Sequence, residues 1–262
     1  MFTVNPFSEL SGLISPLAMQ LYVIAMILLV IGGTVLDMIH KKSAEYFFRN
    51  AEKARAEASR KVSVVKKSSI AVTTVAVDVL TSGEFCNQRR RLAHLLTMYG
   101  FILFAATTAI MIFGYIGAQT PIILPLLWHL GALMLCVGGY WFWFFIRVDV
   151  AAEGNPWYRV VRADLFILSL LATATFALVW SFMQAVGASS LSMLFFSLFI
   201  LSSTVLFGGV LWSKFAHMFF KPAAAFQKRV AKADGSRDGL PEPADKPEQF
   251  GPGIKRLLPK NY

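Results

Sequence analysis

Apolar residues in this chain neither alternate nor recur every third or fourth position. They gather in five long runs, at residues 17–39, 92–117, 124–146, 165–186 and 191–212. Each run can cross a bilayer as a helix, because about 20 residues at roughly 1.5 Å rise cover the hydrocarbon core. The pattern predicts an all-α integral membrane protein: a five-helix bundle over residues 17–220, an arm at 1–16 and a tail at 221–262. The arm has no basic stretch and no cleavage motif, so the first run is expected to be a retained helix and not a signal peptide.

The polar connections set the orientation. Segment 40–91 carries twelve Lys or Arg, 147–163 carries three and 214–262 carries ten, which accounts for all 25. None falls in the arm or in the short connections near 118–123 and 187–190. By the positive-inside rule the N-terminus lies outside and the C-terminus in the cytoplasm. His40, His94 and His217 then lie near the cytoplasmic face, and His129 near the opposite one. Composition agrees with a membrane class, with 56% hydrophobic and 15% charged residues. The net charge of +10 is divided among the connections and not gathered into one patch, which argues against nucleic-acid binding.

Loop 40–91 starts with HKKSAEYFFRNAEKARAEASRK, which continues the first helix beyond the membrane. It then turns to VSVVKKSSIAVTTVAVDVLTSG, whose Val and Thr favour strand or interfacial structure. Its Lys66 and Lys67 suit either lipid headgroups or a docked partner. The tail is polar and punctuated by Pro and Gly. It is either disordered or an extended arm that docks a partner through Phe226, Phe250, Leu257, Leu258 and Tyr262.

Catalytic motifs for a soluble substrate are absent: there is no nucleophile elbow, HExxH or phosphate-binding glycine loop. Cys86 and Cys136 are too far apart in sequence for a thiolate metal site, and packing roles are expected for both. The candidate chemistry is redox. RRRLAHLLTMYG (89–100) opens the second run and LWSKFAHMFFKP (211–222) closes the fifth, each placing a histidine one turn from basic residues. His94 and His217 on facing helices are a candidate axial pair for one heme b, with Gly100 and Gly208–Gly209 leaving space for the macrocycle. His40 is a substitute ligand. Alternatively these histidines only reach the headgroups. Near the outer face His129, with Trp128 and Tyr115, is a candidate quinone site, or a helix-end histidine bonded to backbone. In the loop after the third run, Asp149, Glu153, Arg159 and Arg162 are expected to satisfy one another or solvent, with Trp157 and Tyr158 at headgroup level. Asp37 and Asp164 sit at run edges, so the spans lack the mid-membrane polar groups of a transporter.

The five-helix, N-outside plan, RRRLAHLLTMYGF and WSKFAHMFFKP resemble the cytochrome b-type membrane subunits of the respiratory nitrate reductase gamma, heterodisulfide reductase and quinone-interacting oxidoreductase group. Within it, FTVNPFSEL, HKKSAEYFF, KPAAAFQKRV and LPEPADKPEQFG are similar to the membrane anchors associated with dissimilatory adenylylsulfate reductase in sulfur-oxidising bacteria. The resemblance implies a subunit of the bacterial cytoplasmic membrane that holds a cytoplasmic flavin and iron–sulfur enzyme and passes electrons to quinone, with His94 and His217 matching heme b ligands. The nitrate reductase type has two histidines on each of these helices. Here each has one, which limits the chain to a single heme and favours a cytoplasmic-side quinone site or a heme-free structural anchor.

Overall fold

A computed structural model describes residues 2–40, 43–83, 85, 87–148, 154, 156–212 and 217–236; the side chains of 43, 44, 46, 217, 219 and 220 lie outside that description. Its elements run α1 (Pro6–Leu10), α2 (Pro16–His40), α3 (Ser43–Ala56), α4 (Val64–Thr73, extended by a π-helical stretch Thr74–Leu80), α5 (Gln88–Gly114), α6 (Ile123–Ile146), α7 (Leu165–Ala185), α8 (Ser189–Gly208) and α9 (His217–Ala233). Helices α2, α5, α6, α7 and α8 are long and apolar enough to cross a membrane, and they correspond to the five runs. No strand occurs among the described residues.

Small residues set how closely the spans approach. A Cβ added to Gly131 would lie 2.7 Å from the Phe104 nitrogen, and one on Gly100 would lie 2.8 Å from the Gly131 carbonyl oxygen. Helices α5 and α6 are therefore in backbone contact, as small residues allow in lipid, where no hydrophobic force drives helices together. Helices α7 and α8 form a second hairpin, turned at Gly187 with φ +76°. The two hairpins meet where Gly139 of α6 receives Leu171 of α7. Helix α2 stands partly apart. It buries only Met19, Met26 and Asp37, presses Gly33 against Val210, and hydrogen-bonds the α8 carbonyl of Ile200 through the Tyr22 hydroxyl at 3.1 Å. An apolar cavity of about 620 Å³ remains between α2, α5 and α8.

The two ends of the bundle are closed differently. At the end away from the basic loops, α1 is capped by the Asn5 side chain accepting from the Phe7 amide and buries Phe7 against Trp128 and Trp180. The Gln184 amide donates to the Pro6 carbonyl, which fastens this plug to α7. The arm is thus an ordered cap, where its sequence gave no element.

The basic end is covered by α3, α4 and α9. Within segment 62–83, residues 64–80 are helical, against the expected strand or interfacial structure. Propensity is a weak prior that tertiary context overrides: Asp78 of this segment pairs with Arg229 of α9, while Ser68, Thr73, Thr74 and Thr81 turn their hydroxyls to the carbonyl four residues back, at 2.7 to 3.1 Å. A second correction concerns His217. Helix α8 stops at Gly208, and His217 begins the separate helix α9 instead of ending the fifth span. The tail accordingly starts as helix through Ala233, not as an extended arm; Phe250, Leu257, Leu258 and Tyr262 lie outside the described residues.

Candidate functional site

The cover meets the bundle at His94. Asn87 caps α5 by accepting from the Arg89 and Arg90 amides, which fixes where the helix starts. His94 therefore falls on its second turn, beneath the end of α4. That end closes in a tight turn: Ser82 takes a left-handed backbone, φ +50°, while the Gly83 amide returns to the Val77 carbonyl at 2.8 Å. A non-glycine residue held in this region carries backbone strain, and such positions concentrate at functional sites. The buried Ser82 hydroxyl sits 3.0 Å from His94 Nδ1. Two further α5 side chains grip the same turn, Arg91 Nε donating to the Thr81 carbonyl and the Tyr99 hydroxyl to the Leu80 carbonyl, both at 2.7 Å. These donors satisfy carbonyls that a helix C-terminus leaves open. Phe85 lies over the imidazole with centroids 4.9 Å apart.

Helix α9 completes the enclosure. The Arg229 guanidinium forks onto Asp78, at 2.5 Å from Nε and 2.8 Å from the second donor, a two-point pairing that fixes α9 against α4. Lys221 Nζ lies 5.0 Å from the Phe85 ring centroid. Between them is a cavity of about 290 Å³, lined by His94, Ser82, Asp78, Thr97, Phe85 and Lys221 among others. Phe101, Leu170 and Met218 form walls both of this cavity and of the apolar one between α2, α5 and α8. A mostly apolar chamber that holds a few polar groups, Ser82, His94, Thr97, Asp78 and Lys221, thus adjoins a hydrocarbon-lined chamber within the spans.

The expected heme elements are only partly brought together. Met218, the neighbour of His217, lines the His94 cavity. The His217 side chain lies outside the described residues, so its distance to His94 is not defined. Gly100 is used against α6 and not as room for a macrocycle, and His40 is exposed at the end of α2. The His94 ring is oriented by the Ser82 hydroxyl at its Nδ1. Among the described residues no cluster of three or more His, Cys, Asp or Glu that could hold a metal occurs.

At the opposite end, His129 has the backbone partner considered from sequence. Its Nδ1 donates to the Pro125 carbonyl at 2.7 Å, and Nε2 accepts from the Ser181 hydroxyl at 2.8 Å. Trp128 is fully buried, donating to Thr108 at 2.9 Å and packing on Phe104, and Tyr115 ends α5, its carbonyl accepting from Ser8. These three residues line neither cavity. Cys136 packs beside Thr175, and Cys86 is outside the described residues.

Sequence reasoning missed Asp78, Ser82 and Lys221. Asp78 had a legible signal, as the one carboxylate in the apolar stretch 62–83. It also missed Arg147, which is fully buried and pairs with Asp164 at 2.5 Å, while Asp149 and Glu153 lie outside the described residues. No family model, curated protein or solved structure matches this chain.

Proposed function

We propose that this chain is a membrane anchor that couples a cytoplasmic flavin and iron–sulfur oxidoreductase to the quinone pool, with the quinone head group bound beside His94. The observation that carries this reading is the junction of a cavity that gathers the polar groups of His94, Ser82 and Lys221 with a hydrocarbon-lined cavity between the spans. An amphiphilic redox carrier needs both environments, whereas a water-soluble substrate would not need the second. The resemblance to anchors of adenylylsulfate reductase names that enzyme as the partner. It also supports a location in the bacterial cytoplasmic membrane with the basic end in the cytoplasm.

In this function a quinone accepts two electrons from the partner's reduced centres and two protons from the cytoplasmic side, giving a quinol; the reverse reaction returns all four. His94 is the group suited to exchange a proton with a quinone carbonyl oxygen, and Ser82 holds its ring in place. Lys221 supplies positive charge where negative charge grows on that oxygen. Asp78, paired with Arg229, keeps α9 closed over the chamber.

One observation favours a second reading. Because Met218 lines the His94 cavity, the start of α9 adjoins it, and His94 and His217 would be the residues to hold a single heme b, which would supply one-electron transfer. A reduced-minus-oxidised spectrum and a quinone-binding titration on the purified full chain separate the two. The direct reading expects no b-type absorbance and a loss of quinone affinity of about tenfold in His94→Ala, on the scale of one charge-assisted hydrogen bond. A b-type spectrum abolished in both His94→Ala and His217→Ala would establish the heme reading instead. Unchanged quinone binding in His94→Ala, without heme, would leave only a structural anchor.

A further inference from the structure

The apolar cavity has features that a packing defect would not combine. Its walls on α2 extend from Ala18 to Ile31, thirteen steps along the helix that span about 20 Å at 1.5 Å rise per residue. The hollow exists because α5 presents Ala105 and Ala109 toward α2 where larger residues would fill the space. The polar side chains along it spend their hydrogen bonds elsewhere. Thr108 donates to the Phe104 carbonyl at 2.7 Å, Thr173 to the Ser169 carbonyl at 2.7 Å, and Ser203 to the Phe199 carbonyl at 2.8 Å. What remains facing the hollow is hydrocarbon, with no group to recognise a head group or hold water. The shape is long, the lining is apolar, and one end adjoins the chamber containing His94.

We infer that this cavity is the binding site for the prenyl tail of the quinone, so that the substrate class is long-chain isoprenoid quinones and not short or tail-free ones. This rests on the head-group reading at His94. Burial of a multi-unit tail gives binding energy through apolar area, while the few polar groups beside His94 contribute orientation. Helix α2, with only three buried residues, forms the outer wall and gives the tail lateral entry from the bilayer. The two chambers together measure within the usual range for ligand sites, about 300 to 1,000 Å³.

The test uses the purified full chain in lipid nanodiscs and compares matched probes: ubiquinone against its tail-free dimethoxy-methyl-benzoquinone, and menaquinone against menadione. Ala105→Phe and Ala109→Phe each fill the hollow from α5, and His94→Ala removes the head-group contact. The expected result is that both filling variants weaken the long-chain quinone by roughly tenfold or more, as the loss of several buried methylenes predicts, and leave the tail-free probe unchanged. His94→Ala weakens both probes. Wild-type affinity for the long-chain quinone in both filling variants would overturn the tail assignment while leaving the head-group site standing. Retention of phospholipid in the cavity after quinone saturation, detected by native mass spectrometry, would overturn it in favour of an acyl chain. Indifference of both probes to His94→Ala would overturn the head-group reading itself. If Ala105→Phe fails to fold, Ala109→Phe, one turn along, carries the same comparison.

Discussion

Arg147 shows how one residue can depend wholly on its neighbours. It is fully buried, and its guanidinium reaches Asp164 at 2.5 Å, the Arg159 carbonyl at 2.6 Å and the Pro156 carbonyl at 3.1 Å, while lying 4.2 Å from the Trp143 ring centroid. The π-helical end of α6, Phe142–Ile146, brings it there, with the Arg147 amide returning five residues to Phe142. Asp164 in turn accepts from the Val161 amide at 2.9 Å and fixes the entry to α7. Removing one partner leaves the other charged and buried, a loss of about 3 to 5 kcal/mol, whereas an apolar pair of similar volume is often tolerated. Arg147→Met should therefore lower the thermal midpoint in detergent sharply, and Arg147→Met with Asp164→Leu should recover much of it. An unchanged midpoint in the single variant would show the pair to be solvated in the protein.

At the level of elements, the five spans were legible because run length is a strong constraint in lipid: only a helix satisfies its own backbone there. The cap α1 was not legible, since five residues leave no period to detect and its stability comes from tertiary burial of Phe7 and Leu10. Phe7→Ala should cost about 3 to 5 kcal/mol by emptying the space beside Trp128 and Trp180, read as a lowered unfolding midpoint. Helix α4 was misread because β-branched propensity is a weak prior that tertiary packing, here against α9 through Asp78 and Arg229, can override. In LWSKFAHMFFKP, the apolar residues around His217 continued the fifth run, yet the glycines at 208 and 209 already marked where a helix can stop. His94 was singled out from sequence as a candidate heme ligand, and the structure places it in a cavity. Its neighbours Asp78, Ser82 and Lys221 were not legible, because their placement depends on how two short helices fold back over the bundle.

Across the whole molecule, the basic end carries every element outside the spans except α1. Its exposed cations include Arg49 on α3 and Lys66 and Lys67 on α4, and the tail leaves from α9 at the same end. The proposed partner would dock on that end, where Arg229 and Asp78 tie α9 to α4 beside the chamber. Truncating the chain after Ser236, which keeps α9 intact, should shift the partner enzyme from the membrane fraction to the soluble fraction of a cell lysate. Full membrane retention of the enzyme would remove the tail from the docking surface. The opposite end has a different consequence. Phe7 is wedged among the tryptophans there, and His129 is fully occupied by Pro125 and Ser181. If quinone is reduced beside His94, as proposed, electrons and protons would arrive from one compartment. Each turnover would then be electrically silent, storing energy as reduced carrier and adding nothing directly to the membrane potential.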